Sequence, residues 1–204
     1  DQVLNIGAGT FDWSKEVLCN RAGTLTLIGQ GKDNTFLDAK GKVRHITLVR
    51  DGGCRLVLKD LTLQNGWVNM ETEGRPRGTP GYREHGGAVQ VLRGCHITAT
   101  NVRFHKNEGK NGGAVYIANQ REYPEYSSTP TTGTFVNCDF TENIGHTGGA
   151  VCSYATGLTF TDCKFIKNRS SYAAAVFHRE QEGHTAFWTR CLFDGNVGQY
   201  GGAL

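Results

Sequence analysis

Proline and long apolar runs are scarce in this chain of 204 residues. Its 4 prolines exclude a collagen helix and proline-rich linkers. No apolar stretch approaches the roughly 20 residues that a bilayer-spanning helix needs. The net charge is only +3, and Lys and Arg are scattered among Asp and Glu, so the sequence lacks the basic footprint of a nucleic-acid-binding protein. The length suits a single domain with a sizeable core.

Glycine, by contrast, is abundant at 28 residues and recurs within a repeated motif. Four Phe-x-x-Asn units occur, and a triplet of small residues starts five positions after each Asn. The units are Phe104–Asn107, Phe140–Asn143, Phe165–Asn168 and Phe193–Asn196, and their triplets start at Gly112, Gly148, Ala173 and Gly201. A further triplet starts at Gly86. Self-similarity at a period of 25 to 36 residues is typical of a solenoid of stacked coils.

Three short strands per coil account for this pattern. Alternation within the second strand directs the Phe of each motif, and the residue two positions before it, toward the interior. If coils stack in register, Arg103, Asp139 and Lys164 form one outward column of alternating charge, and Lys106, Glu142 and Lys167 form another. The sequence therefore predicts an all-β chain folded as a right-handed parallel β-helix with about seven or eight coils, about 30–40 Å long.

The predicted β-helix forms one domain over residues 1–204, with the clearest repeats over 61–204. Two earlier segments, Thr24–Gly29 and Ile46–Val49, read as buried strands. The last motif breaks off at Leu204, which predicts that the chain is part of a longer protein and that further coils or an assembly partner cover that end.

Polar turn residues should join the strands. The repeat Asn is expected at a turn because Asn tolerates the left-handed backbone conformation and its amide can bond backbone groups. These structural turn residues are Asn107, Asn143, Asn168 and Asn196, and a second column comprises Asp60, Asn101, Asn137 and Asp162. Paired glycines let the backbone bend where a Cβ would collide, so the triplet Ala173–Ala175 predicts a wider turn.

The seven cysteines allow two interpretations. Cys138, Cys163 and Cys191 share one interior column, where a free thiol packs as a small apolar group. Cys54 and Cys95 share a register on neighbouring coils, and adjacent strands lie within the Cα range of a disulfide, which makes them the candidate pair. Because equivalent positions form a line and not a tetrahedron, no metal site is expected at these cysteines. The sequence predicts no cofactor.

An enzyme with this fold would need acidic side chains that converge on one site. The acidic residues on the outer face of the predicted β-helix are instead expected to belong to columns of alternating charge, which we call charge ladders. Asp139, Glu142 and Asp194 each stand beside an opposite charge in the predicted stack. Glu71, Glu73 or Glu84 could still reach the wall from a loop and form a carboxylate pair. Gly29–Lys32 lacks the spacing of a phosphate-binding loop and predicts a turn.

Two insertions are the candidate binding elements, because loops on a rigid scaffold often carry function. They span residues 66–85 and 119–132. Aromatic and Arg side chains are good anchors for a protein or a sugar, and those in the insertions are Trp67, Arg75, Arg77, Tyr82, Arg83, Tyr123 and Tyr126. The alternative is that both loops only cover the wall.

Repeated Phe-x-x-Asn with Gly-Gly-Ala-[Val/Leu/Ile] resembles the repeat of the polymorphic outer-membrane proteins, which are bacterial surface passengers of the autotransporter type. The stretch Leu4–Phe11 is similar to the opening coil of pectate-lyase-like β-helices. The resemblance implies an extracellular or cell-surface location and a non-catalytic adhesive role. The loop side chains make protein or glycan the expected ligands, and the scattered charges predict no nucleic-acid partner. A polysaccharide lyase or hydrolase and a carbohydrate-binding module are the alternatives; exposed aromatic rows would indicate the latter.

Overall fold

The computed structural model describes residues 1–50, 53–68, 84–119, 129–154, 157–179 and 185–203. Within these ranges the chain is all-β and contains no α-helix. In chain order the strands are β1 (Gln2–Asn5), β2 (Gly9–Asp12), β3 (Val17–Cys19), β4 (Gly23–Ile28), β5 (Thr35–Asp38), β6 (Ile46–Leu48), β7 (Cys54–Gln64), β8 (Val89–Leu92), β9 (His96–His105), β10 (Glu108–Asn111), β11 (Val115–Ala118), β12 (Thr132–Val136), β13 (Asp139–Thr141), β14 (Ile144–Thr147), β15 (Val151–Tyr154), β16 (Gly157–Thr161), β17 (Lys164–Ile166), β18 (Arg169–Ser170), β19 (Val176–Arg179), β20 (Ala186–Thr189), β21 (Leu192–Asp194) and β22 (Val197–Gly198).

These strands form three sheets, and their pairings are parallel. The large sheet has twelve strands, the second sheet has six (β3, β6, β8, β11, β15 and β19), and the third has four (β10, β14, β18 and β22). Each passage of the chain begins in the large sheet and, from β10 onward, adds a strand to the third sheet. It then enters the second sheet, and the chain returns to the large sheet. We call each such passage a repeat, and the described residues contain seven.

The register between repeats is the one that the motif spacing predicts. Phe140 pairs with Phe104 on one side and with Phe165 on the other. Asp139 accordingly lies between Arg103 and Lys164. The two early segments also form strands as predicted, in β4 and β6.

The core is built from aromatic side chains that stack from one repeat to the next. Phe104, Phe140 and Phe165 are fully buried, and their ring centroids follow at 4.9 and 4.8 Å with nearly parallel planes. Phe193 continues the column at 4.9 Å. A second stack joins Phe135, Phe160 and Trp188 at 5.0 and 4.4 Å, and it meets the first edge-on. The predicted inward direction of the motif Phe is therefore confirmed. Each ring contact stabilises the fold by about 0.5–1.5 kcal/mol beyond the contribution of the buried apolar area.

The motif asparagines form a buried ladder beside this core. The Asn143 side-chain oxygen accepts hydrogen bonds from the backbone N–H and the amide of Asn107, at 3.0 and 3.1 Å. Its own amide donates to the Phe104 carbonyl at 2.9 Å and to the Asn168 side-chain oxygen at 3.0 Å. Asn168 repeats this pattern with Phe140 and Asn196. The side chains thus bond backbone groups as predicted, and they also bond each other.

The left-handed conformation, however, falls one residue earlier than predicted. The repeat asparagines do not have positive φ, whereas Lys106, Glu142 and Lys167 have φ of 52°, 55° and 55°, and Gly195 has 59°. The turn is made by the exposed residue in front of the Asn, because the Asn backbone N–H must point along the ladder to the next side chain. The second polar column does adopt positive φ, at Asp60, Asn101, Asn137 and Asp162.

The glycine triplets behave as the sequence indicates. Gly112 and Gly148 both have φ of 67°, and a Cβ at Gly113 would overlap the carbonyl oxygens of Gly149 and Ile144. Ala173 does not have positive φ and instead forms a bridge with Gly201. The alanine triplet therefore takes a different backbone path from the glycine triplets.

Candidate functional site

A groove runs across the outer face of the large sheet, over the strands that carry the Phe motifs. Strand alternation directs one polar side chain outward for each Phe or Leu directed inward. The groove has a volume of about 470 Å³. We call it the wall groove; it is lined by Phe36, Thr62, Gln64, Arg103, His105, Asp139, Thr141, Glu142, Lys164 and Ile166.

The turn after β4 extends over this groove. Lys32 places its ammonium nitrogen 3.0 Å from Asp139 Oδ2, and Asp33 Oδ1 lies 2.8 Å from the guanidinium of Arg103. The Lys32 carbonyl also accepts a hydrogen bond from the Thr62 hydroxyl at 2.6 Å. This segment of the second repeat therefore reaches the fourth and fifth repeats. The predicted turn at Gly29–Lys32 is confirmed, but nothing in the repeat pattern indicated its long-range ion pairs.

The charged groups of the wall groove are mostly neutralised in pairs. Asp139 is only 7% exposed, and besides Lys32 it has Arg103 at 3.4 Å. Glu142 lies 3.8 Å from Lys106. These pairs confirm half of each predicted charge ladder. Among the described residues, Lys164 takes the predicted register beside Asp139 but forms no ion pair, because Asp139 is directed toward Lys32 and Arg103. Lys167 forms no ion pair with a described group either, and Glu142 is paired with Lys106.

The remaining titratable groups of the wall do not gather into a cluster. Burial lowers the pKa of His105, although the charge of Glu142 opposes that change, and the ring bonds the Thr141 hydroxyl at 2.8 Å. Asp194 lies beside Ile166 and forms no ion pair with a described group. The prediction that Asp194 stands beside an opposite charge in the stack is therefore wrong. In the part of the chain that the structure describes, no three His, Cys, Asp or Glu side chains are placed to share a metal ion.

A smaller hollow adjoins the wall groove at the corner between the large and third sheets. Its volume is about 380 Å³, and we call it the corner hollow; it is lined by Asp38, Lys40, Gly41, Asn65, Gly66, Trp67, Lys106 and Glu108. The asparagine ladder positions this corner, because the Asn107 side chain accepts the Gly66 N–H at 2.8 Å. Trp67 follows directly and is half-buried.

Asp38 supplies a fixed negative charge to the corner hollow. Its carboxylate accepts hydrogen bonds from the Lys40 N–H at 2.8 Å, the Asn65 amide at 2.9 Å and the Gln64 amide at 3.0 Å. Partial burial by itself would raise the pKa of Asp38, but these bonds together with the Lys40 charge lower it below its ordinary value. Asp38 is therefore ionised at neutral pH.

Of the predicted binding residues, the structure describes only Trp67. The other six, Arg75, Arg77, Tyr82, Arg83, Tyr123 and Tyr126, lie outside the described ranges, as do Glu71 and Glu73. Glu84 is buried and pairs with Lys110 at 3.0 Å.

The cysteines of the described chain are free thiols. Cys138 and Cys163 are buried in the core, and Cys191 continues their column at the last repeat. Cys54 begins β7 and Cys95 directly precedes β9, and the pairing of Arg55 with His96 keeps the two cysteines in the expected register. Burial raises the pKa of Cys95 to about 12. The Cys95 thiol accordingly stays protonated at neutral pH, and the disulfide between Cys54 and Cys95 stays a prediction.

The ion pairs at Asp139 should contribute measurably to stability. Asp139→Asn removes the charge that compensates the largely buried Lys32 ammonium, and we expect it to lower the free energy of unfolding by about 2 kcal/mol. Urea unfolding followed by circular dichroism measures this change. The matched variant Glu142→Gln loses only a half-exposed pair and should cost less than about 1 kcal/mol. Equal losses of unfolding free energy in the two variants would show that the ion pair between Lys32 and Asp139 does not stabilise the large sheet.

Comparisons with known proteins leave the chain without an assigned relative: no family model, no curated protein and no solved structure matches it. The described residues also contain no helix long and apolar enough to cross a membrane.

Proposed function

We propose that the chain is a right-handed parallel β-helix of the kind seen in polymorphic outer-membrane proteins. The strands pair in parallel, and successive repeats visit the sheets in the same order. Connections between parallel strands of one sheet are right-handed in nearly all proteins, which favours that handedness. The repeated motifs, with three strand positions per repeat, support the assignment to a single-stranded solenoid.

The function that this architecture supports best is that of a non-catalytic scaffold at the cell surface or outside the cell. The observation that carries the proposal is the continuity of the ladders: stacked rings and bonded asparagines join the fourth to the seventh repeat without a break. A solenoid of this kind is stiff, and it presents its loops and its wall at regular intervals to a protein or glycan. The surface location rests on the resemblance of the repeats.

The pairing of charges on the wall favours binding over catalysis. A general acid of a glycosidase needs a raised pKa, and its partner carboxylate needs to stand at a defined separation. Asp139, the most buried acid of the wall groove, has two cations within 4.0 Å instead. Such an arrangement uses the carboxylate to hold strands together.

A combined binding and turnover assay tests this function. The purified chain is applied to an array of surface glycans and extracellular proteins, and the polysaccharides that it binds are then incubated with it and assayed for new reducing ends and unsaturated sugars. The proposal expects a bound ligand that stays intact. Product release that disappears in Asp139→Asn would overturn the proposal in favour of an enzyme.

A further inference from the structure

We propose that the corner hollow is a subsite for a neutral hexose of a glycan, with Trp67 as the surface on which the sugar ring packs. This inference rests on the proposed scaffold function and names the ligand class of one of its surfaces. Apolar C–H groups on one face of a hexose pack on an aromatic ring, and its hydroxyls then face the surrounding polar groups. The corner hollow offers both kinds of contact.

Trp67 is held in place by its backbone. Its N–H donates to the Val43 carbonyl at 3.0 Å, and it forms a parallel bridge with Glu108 of the next repeat. The Val68 N–H donates to the Glu108 carbonyl at 3.2 Å. Among the described groups, none accepts a hydrogen bond from the indole N–H, and the side chain is partly exposed. A half-buried indole on a fixed backbone loses little conformational entropy when a ligand packs on it.

The charges of the hollow favour a neutral ligand over an acidic one. Lys40 is already paired with Asp12 at 2.6 Å, and Lys106 with Glu142 at 3.8 Å. Asp38 and Glu108 contribute two carboxylates to the same lining. An acidic sugar would meet these carboxylates and find both ammonium groups already compensated. A neutral sugar meets no such repulsion.

The polar groups of the hollow match the dual character of sugar hydroxyls, each of which donates one hydrogen bond and accepts others. Glu108 forms no ion pair with a described group, so its carboxylate is free to accept. The Asn65 amide donates to Asp38, which leaves the Asn65 side-chain oxygen as a second acceptor. The indole N–H and the ammonium groups of Lys40 and Lys106 are donors. A volume of about 380 Å³ lies in the range of small-ligand sites.

The hollow adjoins the wall groove, because lining residues of the two contact each other. Gln64, which lines the wall groove, donates to Asp38 in the hollow at 3.0 Å. Lys106 of the hollow pairs with Glu142 of the groove. Since the wall groove crosses strands from five repeats, at about 4.8 Å per strand it is long enough for several sugar units.

The test measures binding of neutral and acidic tetrasaccharides to the whole chain by calorimetry and tryptophan fluorescence. The neutral probes are tetrasaccharides of glucose, mannose and N-acetylglucosamine, and the acidic probes are tetragalacturonate and a heparin tetrasaccharide. We expect at least one neutral probe to bind, Trp67→Ala to weaken it at least about tenfold, and Trp67→Phe to weaken it less. Tyr200→Ala, which removes an exposed aromatic side chain of the last repeat, should change the affinity by less than about twofold.

The outcomes separate the subsite from the scaffold function. Circular dichroism first establishes that the Trp67 variants are folded. The subsite is wrong and the scaffold function stands if neutral probes do not bind but the chain binds a protein on the array. The same conclusion follows if only acidic probes bind and Trp67→Ala has no effect. If a probe is cleaved, the scaffold function itself is overturned.

Discussion

Replacing Asn143 by Ala should lower the free energy of unfolding by about 4 kcal/mol, because the side chain makes four buried hydrogen bonds. The change leaves the buried backbone N–H of Asn107 without its acceptor and removes one donor from the Phe104 carbonyl. A buried polar group without a partner costs about 1–3 kcal/mol. Urea or thermal unfolding measures the loss.

Asn137→Gly is the matched control for this prediction. Asn137 is exposed, has φ of 52°, and donates one side-chain hydrogen bond to Asn101 at 3.2 Å. Glycine tolerates that φ, so the control isolates an exposed ladder bond and should cost less than about 1 kcal/mol. If Asn143→Ala were as mild as Asn137→Gly, the asparagine ladder would not be the element that joins the repeats.

Acidification should destabilise the protein strongly between about pH 6.5 and pH 4. Burial lowers the pKa of His45 to about 4, although its bond to the Leu37 carbonyl and the charge of Asp38 oppose that change. Burial likewise lowers the pKa of His85 to about 4 against the charge of Glu84, and the charges of Arg44 and Lys110 lower it further. Over this range the unfolded chain binds protons that the folded chain excludes, so stability falls with pH.

Two histidines shifted from 6.5 to about 4 should together remove about 4 kcal/mol at pH 5 relative to neutral pH. Urea unfolding at a series of pH values measures this slope. His85→Phe keeps a ring 4.5 Å from Tyr116 without a titratable group, so it should remove about half of the dependence. A slope in His85→Phe equal to that of the unchanged chain would mean that His85 is not excluded from protonation.

The stacked core was predictable because it depends on local spacing. A Phe, an Asn and a small triplet at constant separation must fall into register if repeats stack, and Phe104, Phe140 and Phe165 do so. The charge columns followed from the same register. The backbone angle at the turn was not predictable from residue type, since Lys106 and Glu142 adopt the left-handed conformation that Asn was expected to take.

The candidate site was only partly predictable, because its residues come from different repeats and from connecting segments. Trp67 was singled out as an aromatic side chain in an insertion. Its neighbours Asp38 and Lys106 are 29 and 39 residues away along the chain, and no motif links them. The contact of Lys32 with Asp139 depends on the path of one turn over the sheet, which repeat spacing does not specify.

An experimental structure at side-chain resolution tests the stacking of the repeats most directly. It should show parallel strands in which the Asn143 amide lies between the Phe104 carbonyl and the Asn168 side chain, with Phe104, Phe140 and Phe165 stacked at about 5 Å. Antiparallel pairing, or asparagine side chains that point into solvent, would contradict both the fold and the scaffold function proposed from it.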